Sequence, residues 1–181
     1  EVKITVTPDK TTQANIALRI PGWTPNAIVK VNGETMKGVA SGEYYVINRQ
    51  WNAGDEITLT MEMPAHLVSL NQSVAIERGP IVYARDSRFN DGFVDEVVTI
   101  PNKDGIIQMK TEENGKDMWI TVSVPMIRGT YNDASTDTRH IRLCDFASAG
   151  STWDERIRYR VWLPKLYTPD NPKSGQFQGY W

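Results

Sequence analysis

The sequence predicts an all-β fold: two antiparallel β-sandwiches of jelly-roll kind, or one sandwich with a second inserted into it. Three observations predict it. In "DEITLTMEMP", Ile57, Leu59, Met61 and Met63 alternate with Glu56, Thr58, Thr60 and Glu62. That period of two gives a strand one buried and one wet face. "KDMWITVSVPM" repeats it with Met118, Ile120, Val122, Val124 and Met126, and "RIRYRVWLP" with Ile157, Tyr159, Val161 and Leu163. No stretch keeps a helical apolar period, and "DASTDTRH" has room for one helical turn at most.

The elements follow in order. "ALRIPGWTPNAIVKVNGETM" reads as strand, turn, strand and hairpin corner, with Asn32-Gly33 suited to a tight turn because both residues tolerate positive φ. Strands near 1–8, 14–21, 26–32, 43–49, 55–63 and 73–84 are expected to form a first sandwich spanning 1–86. Strands near 93–99, 105–111, 117–126, 139–144 and 156–163 are expected to form a second, smaller one spanning 87–164, and 165–181 is a tail. The boundary is placed where "SVAIERGPIVYARD" gives way to the polar "SRFNDGF". The last strand has the alternative of returning to the first sandwich.

Composition excludes some partners. The 181 residues carry 20 basic and 22 acidic side chains, well mixed, for a net charge of -2. A nucleic-acid or anionic-membrane surface needs clustered positive charge. No apolar run reaches the length of a membrane-spanning helix. The chain opens on a strand rather than a signal peptide, and on Glu1 rather than Met, which suggests a processed chain or a piece of a larger one. Cys144 is the single cysteine, so one chain has no internal disulfide and no thiolate zinc site.

Catalytic patterns are thin. A glycosidase needs two facing carboxylates; Glu56 with Glu62, and Asp95-Glu96, are available, but a solvated strand face and a loop account for them. His66 and His140 are the only histidines, and no serine sits in a nucleophile elbow. Asp133, Ser135 and Asp137 alternate as calcium ligands do, yet the loop's glycine is missing and Cys144 stands where its glutamate belongs. A capped turn accounts for them as well. "NQS" at Asn71 is a formal glycosylation sequon. Trp23 and Trp51 sit at strand ends, where they can close a sandwich. Trp119 and Trp162 oppose the apolar faces of their strands, and Trp162 shares its face with Arg156, Arg158 and Arg160. This set reads as a docking face, rich in the residues that interfaces favour, as a solvated strand face, or as a place where sugars stack on tryptophan.

"LRIPGW", "VKVNGE", "INRQWNAGDEITLTMEMP" and "AIERGPIVYARD", in that order, resemble the region after the catalytic barrel in bacterial proteins of the β-L-arabinofuranosidase family, glycoside hydrolase family 127. The resemblance covers residues 14–86 well and 139–164 loosely, with "RYRVWLP" similar to the family's closing strand. It implies a C-terminal β-sandwich region without its catalytic domain. That domain, by resemblance, is an N-terminal (α/α)6 barrel with zinc held by three cysteines and a glutamate, one cysteine being the nucleophile. None of those residues maps onto this chain, so no catalytic, cofactor or metal residue is assigned here. The implied role is accessory: bracing the barrel of the same polypeptide or mediating a homodimer. The alternative is a carbohydrate-binding module that holds an oligosaccharide.

Overall fold

The computed structural model describes residues 1–128, 138–152 and 154–165. Every named strand pair is antiparallel, and among the described residues the one helical element is a short 3-10 turn. The all-β expectation holds. The chain divides into two compact units, Glu1–Pro64 and Ala65–Trp181.

The first unit has two layers. One sheet is ordered β1-β6-β3-β4, from β1 (Val2–Val6), β3 (Ala27–Val31), β4 (Glu34–Thr35) and β6 (Asp55–Met61). The other pairs β2 (Thr12–Arg19) with β5 (Tyr44–Trp51). The alternating apolar residues of both sheets share one core: Val29, Val31, Ile57 and Leu59 from the first, Leu18, Ile47 and Trp51 from the second. This is the sandwich arrangement. Ile57 lies between Ile4 and Val31, and Leu59 between Val2 and Val29. Trp51 is 1% exposed and its indole N–H donates to the Ala14 carbonyl at 3.1 Å, which satisfies the ring's one donor. Asn32 and Gly33 turn β3 into β4 with φ of 51° and 84°. The expected apolar row of β6 stops short: the strand ends at Met61, and Met63 is 39% exposed.

Among the described residues the second unit forms a single 11-stranded sheet. Its long strands are β7 (Ala65–Leu70), β8 (Ser73–Arg78), β9 (Ile81–Asp86), β14 (Thr121–Arg128) and β15 (Thr138–Asp145). The run expected as one strand at 73–84 is two, split by Gly79-Pro80. Gly79 takes φ 60°, as the first position of a primed hairpin turn requires. Short strands complete the sheet: β10 (Val98–Thr99), β11 (Asn102–Lys103), β12 (Ile106–Ile107), β13 (Lys110–Thr111), β16 (Tyr159–Arg160) and β17 (Leu163–Pro164). The path runs β10-β14-β15-β9-β8-β7-β12-β11. Yet Val98 of β10 and Ile107 of β12, near opposite ends, belong to one core with Val122, Val124, Met126, Ile141 and Leu143. The sheet therefore curls until its inner face packs on itself.

The division falls at Pro64, not near residue 86, because β8 and β9 continue the ladder of β15 and so bind the 65–86 segment to the strands C-terminal to it. The second unit is consequently the larger. The last strands pair with β9 and β8, inside that unit.

Candidate functional site

No catalytic constellation forms among the described residues. Glu56 lies on the wet face of β6, and Glu62, exposed just past the strand's end, accepts from Asn26 at 2.7 Å. His66 faces Glu77 across the β7–β8 ladder at 3.5 Å, and His140 sits within β15. The pattern Asp133–Asp137 lies outside the described residues. No three His, Cys, Asp or Glu side chains among those described come together as a metal-holding group. Cys144 is fully buried, and burial pushes its thiol up to about 12. It stays protonated at neutral pH and is a poor nucleophile and a poor ligand.

The second unit instead holds a network of buried charge. β9 is covered on both faces: Tyr83, Ala84, Arg85 and Asp86 are all at most 2% exposed. Arg85 meets Asp91 at 3.7 Å and Glu96 at 3.5 Å, and the second oxygen of Asp91 accepts the Arg142 N–H at 2.8 Å. Asp86 accepts from Arg88 Nε and Nη2 at 2.8 Å each, and from the N–H groups of Arg88 and Gly150 at 2.9 Å each. Burial alone would raise the Asp86 carboxyl, but these donors outweigh it and hold it below the ordinary value. Asp145 binds Ser148, whose hydroxyl oxygen accepts the Trp119 N–H at 3.0 Å.

These ties hold loops that present aromatic rings to solvent. Asp91 and Glu96 clamp the loop that carries Phe93, 81% exposed. Gly92 at φ 130° sits so close over Arg85 that a Cβ there would lie 3.1 Å from Nη2 and 2.9 Å from Glu96 Oε2. Ser148 holds Trp119, 77% exposed. Phe146, 50% exposed, and Tyr159, 49% exposed, meet with ring centroids 6.2 Å apart.

The expected stripe is not one continuous strand. Residues 161 and 162 bend between β16 and β17, and residues 155 and 156 form a turn. Tyr159, expected inward, is exposed in consequence. Arg156 is held by Asp154, whose carboxyl it lowers to about 2. Arg158 donates to the carbonyls of Glu155 and Ile157, and Arg160 to Asp95. Trp162 is 38% exposed. The arginines thus remain at the surface with local partners, and Trp119 reaches it from a different loop. Phe93 and Phe146 were missed in the sequence, since each stands in a polar, turn-rich stretch where alternation assigns no face.

Comparison with known proteins places this architecture. The family model described as "Beta-L-arabinofuranosidase, GH127 middle domain" matches residues 1–63. No curated protein sequence matches the chain. Among solved structures, a GH127 β-L-arabinofuranosidase from Geobacillus stearothermophilus T6 is similar with TM-score 0.69 and 24% identity, over 90% of this chain and 28% of that one. A GH127 β-arabinofuranosidase gives TM-score 0.67 and 22% identity, over 90% and 29%. A glycoside hydrolase gives 0.64 and 21%, over 91% and 30%. The chain spans less than a third of each. The matched model is a middle domain, so the C-terminal position expected for this region finds no support in it. By sequence over its first unit the chain matches the middle domain of glycoside hydrolase family 127, and over nine-tenths of its length it has the fold of part of a β-L-arabinofuranosidase.

Proposed function

We propose that this chain is a non-catalytic accessory region of a β-L-arabinofuranosidase-like glycoside hydrolase, bracing the catalytic barrel of the same polypeptide. One observation carries the reading: nine-tenths of the chain aligns with under a third of a β-L-arabinofuranosidase, and its first unit matches that family's middle domain. In this reading the zinc, the three cysteines and the glutamate that hold it, and the cysteine nucleophile belong to the barrel that the resemblance implies. Cys144, buried and protonated, supplies neither nucleophile nor ligand. The second unit contributes the docking surface. Arg158, Arg160, Trp162 and Trp119 are joined there by Phe93, Phe146 and Tyr159, aromatic and arginine side chains of the kind that anchor interfaces.

The test uses the chain alone and a polypeptide that also contains the barrel. The chain alone should release no nitrophenol from aryl arabinofuranosides and bind no arabino-oligosaccharide by calorimetry. In the longer polypeptide, Trp119→Ala or Phe93→Ala should lower the temperature at which the barrel unfolds. Oligosaccharide binding by the chain alone, lost in Trp119→Ala, would replace this reading with a carbohydrate-binding module.

A further inference from the structure

The second unit carries an open hollow of about 520 Å³ that shares only Phe93 with the docking surface. Asn90, Asp91, Gly92 and Phe93 line it from the loop after β9, and Arg139 and His140 from the start of β15. Its volume lies within the usual range of small-molecule sites, about 300–1,000 Å³. The β14–β15 ladder, with Arg139↔Met126 and His140↔Pro125, fixes the backbone of both residues. Asn90 takes the left-handed conformation at φ 53°, which asparagine tolerates, and turns the chain from the 3-10 turn into the loop.

The charges in this hollow are uneven. Both oxygens of Asp91 are committed: one meets Arg85 at 3.7 Å, and the other accepts the Arg142 N–H at 2.8 Å. Arg139 is half-buried, and its side chain has no hydrogen bond or ion pair among the described residues. The same holds for the side chains of Asn90 and His140. The lining therefore offers one uncompensated positive charge, two further polar groups and the Phe93 ring, 81% exposed. A guanidinium fork matches a carboxylate with two parallel hydrogen bonds. A carboxamide and a neutral imidazole each donate and accept, as hydroxyl partners require. An exposed aromatic ring presents an apolar face, on which the C–H side of a sugar ring can rest. A carboxylate, several hydroxyls and a C–H face occur together in the uronic acids.

We propose that this hollow binds an acidic saccharide by a uronate residue, with the carboxylate on Arg139, hydroxyls on Asn90 and His140, and the sugar ring against Phe93. The choice of a saccharide among carboxylates rests on the glycoside-hydrolase reading above. Neutral arabino-oligosaccharides lack the carboxylate that Arg139 selects, in keeping with the expectation that the chain leaves them unbound. Arg139, Asn90 and His140 lie outside the docking set. A failure at Arg139 therefore leaves the accessory role standing, and a barrel insensitive to Trp119→Ala leaves this site standing.

NMR titration of the 181-residue chain with trigalacturonate tests it, with neutral galactotriose as the control. One ion pair and a few hydrogen bonds should give a dissociation constant on the order of 1 mM for the acid, with no saturable shift for the neutral sugar. Arg139→Gln removes the charged fork and should weaken binding about tenfold or more. Arg139→Lys keeps the charge without the planar fork and should fall between the two. Urea melts of both variants should match the native chain, which separates lost binding from lost folding. A polypeptide that also contains the barrel should show the same Arg139-dependent binding. The proposal is overturned if trigalacturonate produces no saturable shift at 10-fold that concentration, if galactotriose binds as well, or if Arg139→Gln binds as the native chain does. Loss of the Arg139-dependent binding in the longer polypeptide would also overturn it, since Arg139 would then hold an acidic side chain of the barrel.

Discussion

Replacing Asp86 with Ala should be among the most damaging single changes in the second unit. The Asp86 side chain is 0% exposed and that of Arg88 is 14% exposed. Four hydrogen bonds end on the carboxylate. At about 1.5–3 kcal/mol per bond to a charged group their sum would rival a whole domain's stability of about 5–15 kcal/mol. Such values are not additive, because part of each is the desolvation already spent on burying the pair. The governing quantity is the cost of leaving a buried partner uncompensated, about 3–5 kcal/mol. Among the described residues Arg88 has little else to turn to: Nη2 keeps the Ser148 carbonyl at 2.8 Å, and Nη1 finds no hydrogen-bond partner there. Cys144 is the assay. As the single cysteine, buried within the second unit, its labelling by a thiol reagent under rising urea reports the opening of that unit alone. Removing both partners takes away the stranded charge, so the Asp86→Ala/Arg88→Ala pair should cost less than its two single variants together by about 1–3 kcal/mol. A cost below about 1 kcal/mol for Asp86→Ala, or strict additivity, would refute the view that this pair holds the 148–150 turn.

The same carboxylate sets a pH dependence. Its folded pKa is lowered, so its contribution is present above the unfolded value of ~3.9 and is lost as pH falls through the lower folded value; urea melts below about pH 4 should show this loss in the native protein and not in Asp86→Asn. In the first unit, Leu59→Ala should cost about 2–5 kcal/mol in urea melts, since Leu59 is 6% exposed in the shared core. Met63→Ala, beyond the end of β6, should cost far less, and equal costs would mean the β6 row runs further than the structure shows. Arg158→Ala should shift stability by less than about 0.5 kcal/mol in this chain, and should weaken barrel docking in a longer polypeptide if the arginine surface is an interface.

The fold class was legible because alternation is a local signal. Ile57 and Leu59, or Val122, Val124 and Met126, reveal their face from spacing alone, and all five are buried. The unit boundary was not, because it is decided by which strands pair at a distance. "SRFNDGF" has the composition of a linker, and β7 to β9 have that of any sheet, so only the ladder from β9 to β15 shows that 65–86 belongs with the C-terminal strands. The arginine stripe failed for a related reason. Alternation in "RIRYRVWLP" presumes an unbroken strand, whereas the chain is extended only at 159–160 and 163–164 and bends between them, so the phase is lost and Tyr159 turns outward.

The buried charge network could have been inferred by a further step of the same logic. In "IVYARD", Ile81, Tyr83 and Arg85 share one face by parity, and Val82, Ala84 and Asp86 the other. A strand apolar on both faces is a covered strand. If both faces are covered, the arginine and the aspartate that end it are buried too, and each must find an opposite charge or a set of donors nearby. The next residues offer them: Arg88 for Asp86, then Asp91 and Glu96 for Arg85. A polar run directly after a doubly covered strand is thus required to fold back over its end. The residue at the tip of that fold, having no charge left to satisfy, faces outward, and here it is Phe93.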